Sequence, residues 1–357
     1  MSLVVNIIGL GIMGKNVARA LGRNPRVSVT GGADTREATR LGAGEELGLS
    51  TVYADYQEML DTEKPDAVFI ATPDWMHRDP VMDALGRGIH VHVEKPMTTS
   101  EPEAAEIVRK VQERGLKLQV SYNHRWLAPY YTAWEQVRAG AIGECVAAYA
   151  RKNNPITVPT KMLAGWARES SPMWFQSAHD VDLLGWYFDD MPVRVSCEGV
   201  KKVLKERLGW DTWDALQGRV RFARGGLATL EAAWIYPEQH PAMPDSFVAL
   251  VGSDGHMHID RKAEAIEMST PEGLAWPRSF LNKKIFDDWV GAFPSCINSF
   301  IDAVLDDFTP HVNALDGWKA TAILDALHRS ADNGGEPVNI SAPPITPQAF
   351  NEKGSES

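Results

Sequence analysis

Two short stretches carry residue types whose order suggests chemistry. Gly9-Leu10-Gly11-Ile12-Met13-Gly14 is a G-x-G-x-x-G, set between an apolar run at 3–8 that reads as a strand and an amphipathic stretch at 13–23 that reads as a helix. In that context Gly9 permits the tight turn, Gly11 lets the backbone approach a pyrophosphate, and Gly14 lets helix and strand pack closely. The helix N-terminus, beginning at Ile12 and Met13, supplies amide donors to the anion. Asp34 follows twenty positions after Gly14, where a carboxylate accepts hydrogen bonds from adenosine ribose hydroxyls and repels a 2′-phosphate. NAD is therefore expected ahead of NADP, which is not excluded. Arg36 stacks on adenine, meets a phosphate, or is a solvated residue of the first helical turn; the sequence leaves these readings open.

The second stretch is Glu94-Lys95-Pro96, directly after a strand expected at 89–93. The carboxyl ends of parallel strands are where ligands bind in doubly wound sheets. A lysine beside a nicotinamide there is placed to take or give the proton that accompanies hydride transfer, a contribution of about 10²–10⁴-fold in rate. Two H-x-H pairs, His90/His92 and His256/His258, each put two imidazoles on one strand face. Neither has an evident acidic or cysteine companion, so no metal is expected.

These residues need a scaffold. Strands at 3–8, 27–30, 67–71, 89–93 and 117–121 alternate with helices at 13–23, 36–47, 76–87 and 101–114. That alternation predicts right-handed βαβ units and an α/β doubly wound parallel sheet. After about Asn123 the texture changes to long β-rich runs at 145–151, 194–203, 216–222, 228–235, 247–252 and 256–259. Helices are expected at 130–139, 174–188, 293–305 and 318–330. The expectation is a Rossmann domain over 1–123 and an α+β domain over 124–357, with a large, mostly antiparallel open sheet and a weakly ordered tail from about 341.

Bulk properties exclude several function classes. The 357 residues carry a net charge of −11 and no basic run, which argues against nucleic acid, whose binding needs cations to replace counterions. No apolar stretch is long enough for a membrane span. The glycine-interrupted N-terminus has no basic n-region and is not expected to be a signal peptide. Three well-separated cysteines, Cys145, Cys197 and Cys296, fit free thiols in a reducing compartment, with the cytoplasm as the default.

Taken together, the motifs resemble the Gfo/Idh/MocA family, named for glucose–fructose oxidoreductase, inositol dehydrogenase and relatives. The likeness is carried by the glycine motif, Ala71-Thr72-Pro73 with His77, Glu94-Lys95-Pro96, Asn123-His124-Arg125-Trp126, and His179-Asp180-Val181-Asp182-Leu183-Leu184-Gly185-Trp186, over roughly residues 3–340. The resemblance implies that Thr72 and Pro73 border the cofactor, with His77 fixing their loop. By the same resemblance Glu94 and Lys95 reach the nicotinamide and the reacting hydroxyl, and a cis Lys95–Pro96 bond is compatible with it. It further implies that Arg125 and His179 face the cleft from the other side, and that the reaction is oxidation of a sugar, cyclitol or polyol hydroxyl or reduction of the matching ketone. A homodimer or homotetramer through the open sheet face is implied as well.

One departure stands out. Family dehydrogenases often carry an aspartate one turn before the histidine, where this chain has Phe175. Asp182 shares a helix face with His179 and is a candidate partner for it. Lys95, His179 and Asp182 are thus the candidate acid–base group, and Lys95, Arg125, Trp166, Phe175 and His179 the candidate substrate contacts. Two alternatives keep the fold: a redox-neutral, NAD-dependent glycosidase, and a cofactor-binding sensor without catalysis.

Overall fold

The computed structural model describes residues 2–345. From residue 346 onward the expected weakly ordered tail lies outside the described residues. The chain forms two compact units. The first holds residues up to Asn123 together with 281–318, and the second holds 124–280 and 319–342.

In the first unit, β1 (Leu3–Ile8), β2 (Val27–Ala33), β3 (Thr51–Tyr53), β4 (Ala67–Ile70), β5 (His90–Val93) and β6 (Leu118–Val120) form one sheet in the order β3-β2-β1-β4-β5-β6. Every neighbouring pair is parallel. Helices α1 (Ile12–Leu21), α2 (Glu37–Leu47), α3 (Tyr56–Glu63), α4 (Arg78–Gly86) and α5 (Glu101–Arg114) make the crossovers. The strand order reverses between β1 and β4, so the carboxyl ends of those two strands flank the switch point at which such sheets bind ligands. β4 and β5 are buried at nearly every position, as expected for strands covered on both faces.

The second unit opens with α6 (Ala128–Arg138). A seven-stranded sheet includes β7 (Cys145–Pro155), β8 (Pro192–Val200), β9 (Ala215–Phe222), β10 (Leu227–Tyr236), β11 (Asp245–Gly252) and β12 (His256–Asp260). Helix α7 (Ala178–Phe188) lies between β7 and β8 in sequence, and α8 (Val203–Leu208) follows β8. The sheet is antiparallel except for the β7–β10 pair. β9 shows why one face is covered: Leu216, Gly218, Val220 and Phe222 are buried while Gln217, Arg219 and Arg221 are exposed. A small hairpin follows in this unit, β13 (Met268–Thr270) with β14 (Gly273–Ala275), and the next, β15 (Lys283–Ile285) with β16 (Asp288–Val290), belongs to the first unit.

The two units do not divide the sequence at a single point. The expected cut placed everything after 123 in the second domain, whereas α9 (Ala292–Leu305) packs in the first unit. Its Phe293, Ile297, Phe300 and Ile301 join Leu3, Val5, Ile7, Val17, Leu21 and Phe69 in one buried cluster. Burial of this apolar stripe is the driving term, at roughly 1.5–3 kcal/mol per large side chain. Helix α10 (Ala314–Asp332) follows, its residues from Lys319 onward belonging to the second unit, and β17 (Val338–Asn339) closes that unit's sheet beside β8.

His92 sits in this core, its ring stacked on Phe69 at 4.9 Å and edge-on to Phe300 at 5.6 Å. Burial pushes its pKa down from 6.5 to about 3, so the folded chain holds it neutral. Between those two values the unfolded chain takes up a proton that the folded chain refuses, and stability falls as the pH drops below 6.5. At pH 5 the group costs about 2 kcal/mol. Urea unfolding at pH 7 and pH 5 should show His92→Leu losing about 2 kcal/mol less than wild type over that interval; equal losses would contradict this reading of the core.

Candidate functional site

β1 ends at Ile8, and Gly9 turns the chain with a φ of +90°, a conformation that favours glycine. A Cβ on Gly9 would lie 2.6 Å from the Ala71 carbonyl oxygen, and one on Gly14 would lie 1.9 Å from the Gly9 oxygen. Both positions therefore require glycine for contact. Gly11 differs: the nearest atom to its Cβ direction is the Arg36 Nη2, at 4.0 Å, which leaves the space above that backbone open to a ligand. α1 starts here with no side-chain cap and no acid in its first turn. Its first amides lack intrahelical acceptors, and its dipole favours an anion.

Asp34 follows β2, its side chain 8 % exposed. One carboxylate oxygen accepts the Leu10 amide at 3.1 Å and the other the Arg36 amide at 2.9 Å. The Arg36 guanidinium, 70 % exposed, lies 3.5 Å from the same carboxylate. Asp34 is thus tied to the glycine turn itself, and Arg36 lies exposed beside it. The open backbone at Gly11, the uncapped helix end and the fixed carboxylate suit a dinucleotide pyrophosphate and a ribose diol.

Thr72 and Pro73 follow β4, and Pro73 precedes a short 3₁₀ turn, Asp74–Met76. His77 is buried, with Nδ1 2.7 Å from the Pro96 carbonyl oxygen and Nε2 2.9 Å from that of Thr72. One imidazole thereby staples the loop after β4 to the loop after β5. Burial pushes the His77 pKa down, against its two carbonyl partners and Asp74, which favour the cation. A neutral ring carries one proton and donates to only one of the two carbonyls at a time. Glu94 is buried, which raises its pKa against the opposing charge of Lys95. Lys95 is half-buried, and the Lys95–Pro96 peptide is cis. The first unit therefore brings Gly9, Gly11, Gly14, Asp34, Thr72, Pro73, His77, Glu94 and Lys95 to the carboxyl edge of its sheet.

The second unit gathers the other candidates. Arg125 is buried and donates from Nε and Nη2 to the two oxygens of Asp182, at 2.9 and 2.5 Å. Its guanidinium lies 5.1 Å from the Trp186 ring centre. Asp182, expected beside His179, is thus engaged by Arg125. Helix α7 is preceded by a wide π-turn over Met173–Ser177, which replaces the regular helix expected from 174. Within that turn Gln176 donates to the carbonyls of Lys152 on β7 and Ala233 on β10, at 2.6 and 2.8 Å. Phe175 is half-buried and meets Trp166 edge-on at 6.0 Å, in an apolar cluster with Val158, Leu163 and Trp234. The π-turn therefore separates Gln176, which binds backbone, from Phe175, which joins Trp166.

Sequence reasoning missed the groups around His179. Its ring stacks on His124 with centroids 3.9 Å apart and planes 9° apart. Lys152 is buried between Asp180 and His124, 2.6 Å from Asp180 Oδ1 and 3.5 Å from His124 Nδ1. One signal was available. Alternation along β7 puts Lys152 on the inward row with Ala148 and Ala150, and a lysine in such a row needs a partner.

These geometries define a dinucleotide-binding oxidoreductase architecture, and the comparisons give its family. The profile of an oxidoreductase family with an NAD-binding Rossmann fold, GFO_IDH_MocA, matches residues 3–122, and that of the GFO/IDH/MocA C-terminal domain matches residues 130–258. The chain belongs to the Gfo/Idh/MocA oxidoreductases. It is 25% identical over 359 residues to an inositol 2-dehydrogenase of Rubrobacter xylanophilus, covering 96% of this chain and 95% of the relative. A 2,7-anhydro-N-acetylneuraminate hydratase of Mediterraneibacter gnavus is 24% identical over 257 residues, 71% of this chain and 66% of the hydratase. Among solved structures, the myo-inositol 2-dehydrogenase of Lactobacillus plantarum superposes with a TM-score of 0.83 at 24% identity, covering 96% of this chain and all of that one (100%).

Gly14→Ala tests the turn. With its methyl aimed at a carbonyl oxygen, α1 must move outward, and NADH affinity should fall at least about tenfold, the loss of about 1.4 kcal/mol. A fluorescence titration with NADH reads this; unchanged affinity in a folded variant would show that the turn does not hold the dinucleotide.

Proposed function

We propose that the chain is an NAD(H)-dependent dehydrogenase that interconverts a secondary alcohol of a cyclitol, sugar or related polyol with its ketone. The observation that carries this reading is Lys95, half-buried at the carboxyl end of β5 on a loop stapled by His77 to the loop beside the glycine turn. Gly9, Gly11 and Gly14 admit the pyrophosphate, and Asp34 takes the ribose hydroxyls. When bound, the nicotinamide supplies the hydride acceptor or donor.

The protein's own part is proton handling and orientation. In the oxidative direction Lys95 takes the hydroxyl proton while the carbon-bound hydrogen leaves as hydride; reduction runs the same exchange backward. Glu94, buried beside it, orients the lysine and keeps water from the reacting end. Within the second unit, His179 is the candidate acid–base group, and the apolar pair Trp166 and Phe175 is a candidate hydrophobic face for a sugar ring. Inositol dehydrogenases among the relatives, some solved with bound NAD(H) and inositol, support the substrate class.

Asp34 supports NAD over NADP, since its carboxylate repels a 2′-phosphate. Among the described residues the three cysteines are free and no helix is long and apolar enough to cross a membrane. We place the protein in the cytoplasm as a dimer or tetramer joined through the outward face of the second unit's sheet, where Tyr149 and Phe247 lie half-buried beside each other.

The test is NADH formation with a panel of cyclitols, sugars and sugar acids, wild type beside Lys95→Ala. One substrate class should turn over, and the variant should lose about 10²-fold or more in kcat. Substrate consumed without net NADH would favour the redox-neutral reading. Turnover retained in the variant would remove Lys95 from the chemistry.

A further inference from the structure

Asp180, Lys152, His124 and His179 form one continuous chain of contacts inside the second unit. Lys152 Nζ donates to Asp180 Oδ1 at 2.6 Å and lies 3.5 Å from His124 Nδ1. The His124 ring is layered against two others: Tyr130, with centroids 5.5 Å apart and planes 13° apart, and His179, at 3.9 Å and 9°. The Arg261 guanidinium lies over the Tyr130 ring at 5.5 Å. Lys152, Asp180 and His124 are buried, whereas His179 is half-buried. The chain thus runs from a carboxylate with no solvent access to an imidazole that has some.

A lysine here is expensive. Removing an ammonium and a carboxylate from water costs several kcal/mol per ion, and their attraction commonly does no more than offset it. The second oxygen of Asp180 has no hydrogen-bond partner among the described residues, so the pair is not optimised for stability. A methionine or leucine would fill the same inward position of β7 at lower cost.

The chemistry of the ammonium suggests what it does. It carries only donors, so the ring nitrogen facing it must present a lone pair. An ammonium facing Nδ1 favours the His124 tautomer that carries its proton on Nε2. The charged and titratable groups around His124 come from every neighbouring element: Lys152 from β7, Asp180 and His179 from α7, Tyr130 from α6, and Arg261 and Arg278 from the segment after β12. Glu264 pairs with Arg261 at 2.6 Å and lies 3.7 Å from Arg278. Three cations thus face two carboxylates. Burial first, then His179 and these cations, hold the His124 pKa well below its usual value.

We propose that Lys152, held by Asp180, is a positioning residue for His179: it fixes the tautomer of His124, and His124 gives His179 a flat, uncharged surface to stack on. The positioning group comes from β7, while Phe175, in the π-turn before the helix, packs on Trp166. The inference rests on the reading of His179 as an acid–base group, but its first test does not.

That test uses the full-length protein with ¹⁵N-labelled histidine imidazoles, followed by NMR from pH 5 to 8, with His124→Gln for assignment. In wild type, His124 should show one Nε2–H tautomer that does not titrate. Lys152→Met should lose the fixed tautomer and shift the His179 signals, and Lys152→Arg should keep both. In turnover, Lys152→Met should lower kcat roughly 10- to 100-fold with KM nearly unchanged, and should move the acid limb of the pH profile. Lys152→Arg should restore most of the rate.

An unchanged tautomer and unchanged kcat in folded Lys152→Met would overturn the proposal and leave Lys152 as a structural ion. If Lys152→Met does not fold, Asp180→Asn decides: an unaltered His124 spectrum and unaltered kcat there would also overturn it. If wild type turns over no substrate, the dehydrogenase reading fails separately, and the NMR outcome still decides this one.

Discussion

The first unit depends on one close approach. The Cα of Gly14 comes so near the Gly9 carbonyl that a methyl there would lie 1.9 Å from the oxygen, far inside any van der Waals contact. That proximity holds the start of α1 against the end of β1. It also sets the turn from which the Gly9 amide reaches Ala33 and the Leu10 amide reaches Asp34. Because β4 lies beside β1 in the sheet, the loops carrying Thr72 and, one strand further, Glu94 and Lys95 arrive at the same edge. A steric constraint on two glycines therefore fixes the edge at which Asp34, Thr72, Glu94 and Lys95 come together.

The second unit is organised by buried charge rather than by close packing alone. Helix α7 carries two acids two residues apart, and they take different cations: Asp180 pairs with Lys152, and Asp182 with Arg125. Gln176, in the π-turn that introduces the helix, pins it to the backbones of β7 and β10. Paired ions of this kind add little net stability, yet removing one partner strands the other in a medium that cannot solvate it. Their rigidity holds the ring of His124, on which His179 stacks, in one place.

Much of the first unit was legible in the sequence because its signals are local. An apolar strand, a glycine turn and an amphipathic helix occur within some twenty residues, and Asp34 follows at a fixed offset. The short strand β3 and helix α3 escaped notice because neither presents a long apolar stripe. The return of α9 to the first unit was hidden for a different reason. Its apolar face reads as a core helix, but nothing in its residues says which core, and burial against Phe69 and Leu21 is decided by tertiary contacts. The same limit applies at the site. Lys95 could be placed from the strand before it, whereas the link from Asp180 through Lys152 to His124 joins three elements far apart in the chain. Asp182 shares a face with His179 by helical spacing, yet spacing could not reveal that Arg125 would claim it.

The most direct test of the account follows one hydrogen atom. A cyclitol or sugar substrate deuterated at the carbon bearing the reacting hydroxyl is incubated with the protein and NAD⁺, and the nicotinamide and the product are examined by NMR. The account predicts that the deuterium appears on C4 of free NADH in step with ketone formation. Consumption of substrate with the deuterium returned to a rearranged or hydrolysed product, and no labelled NADH released, would contradict it.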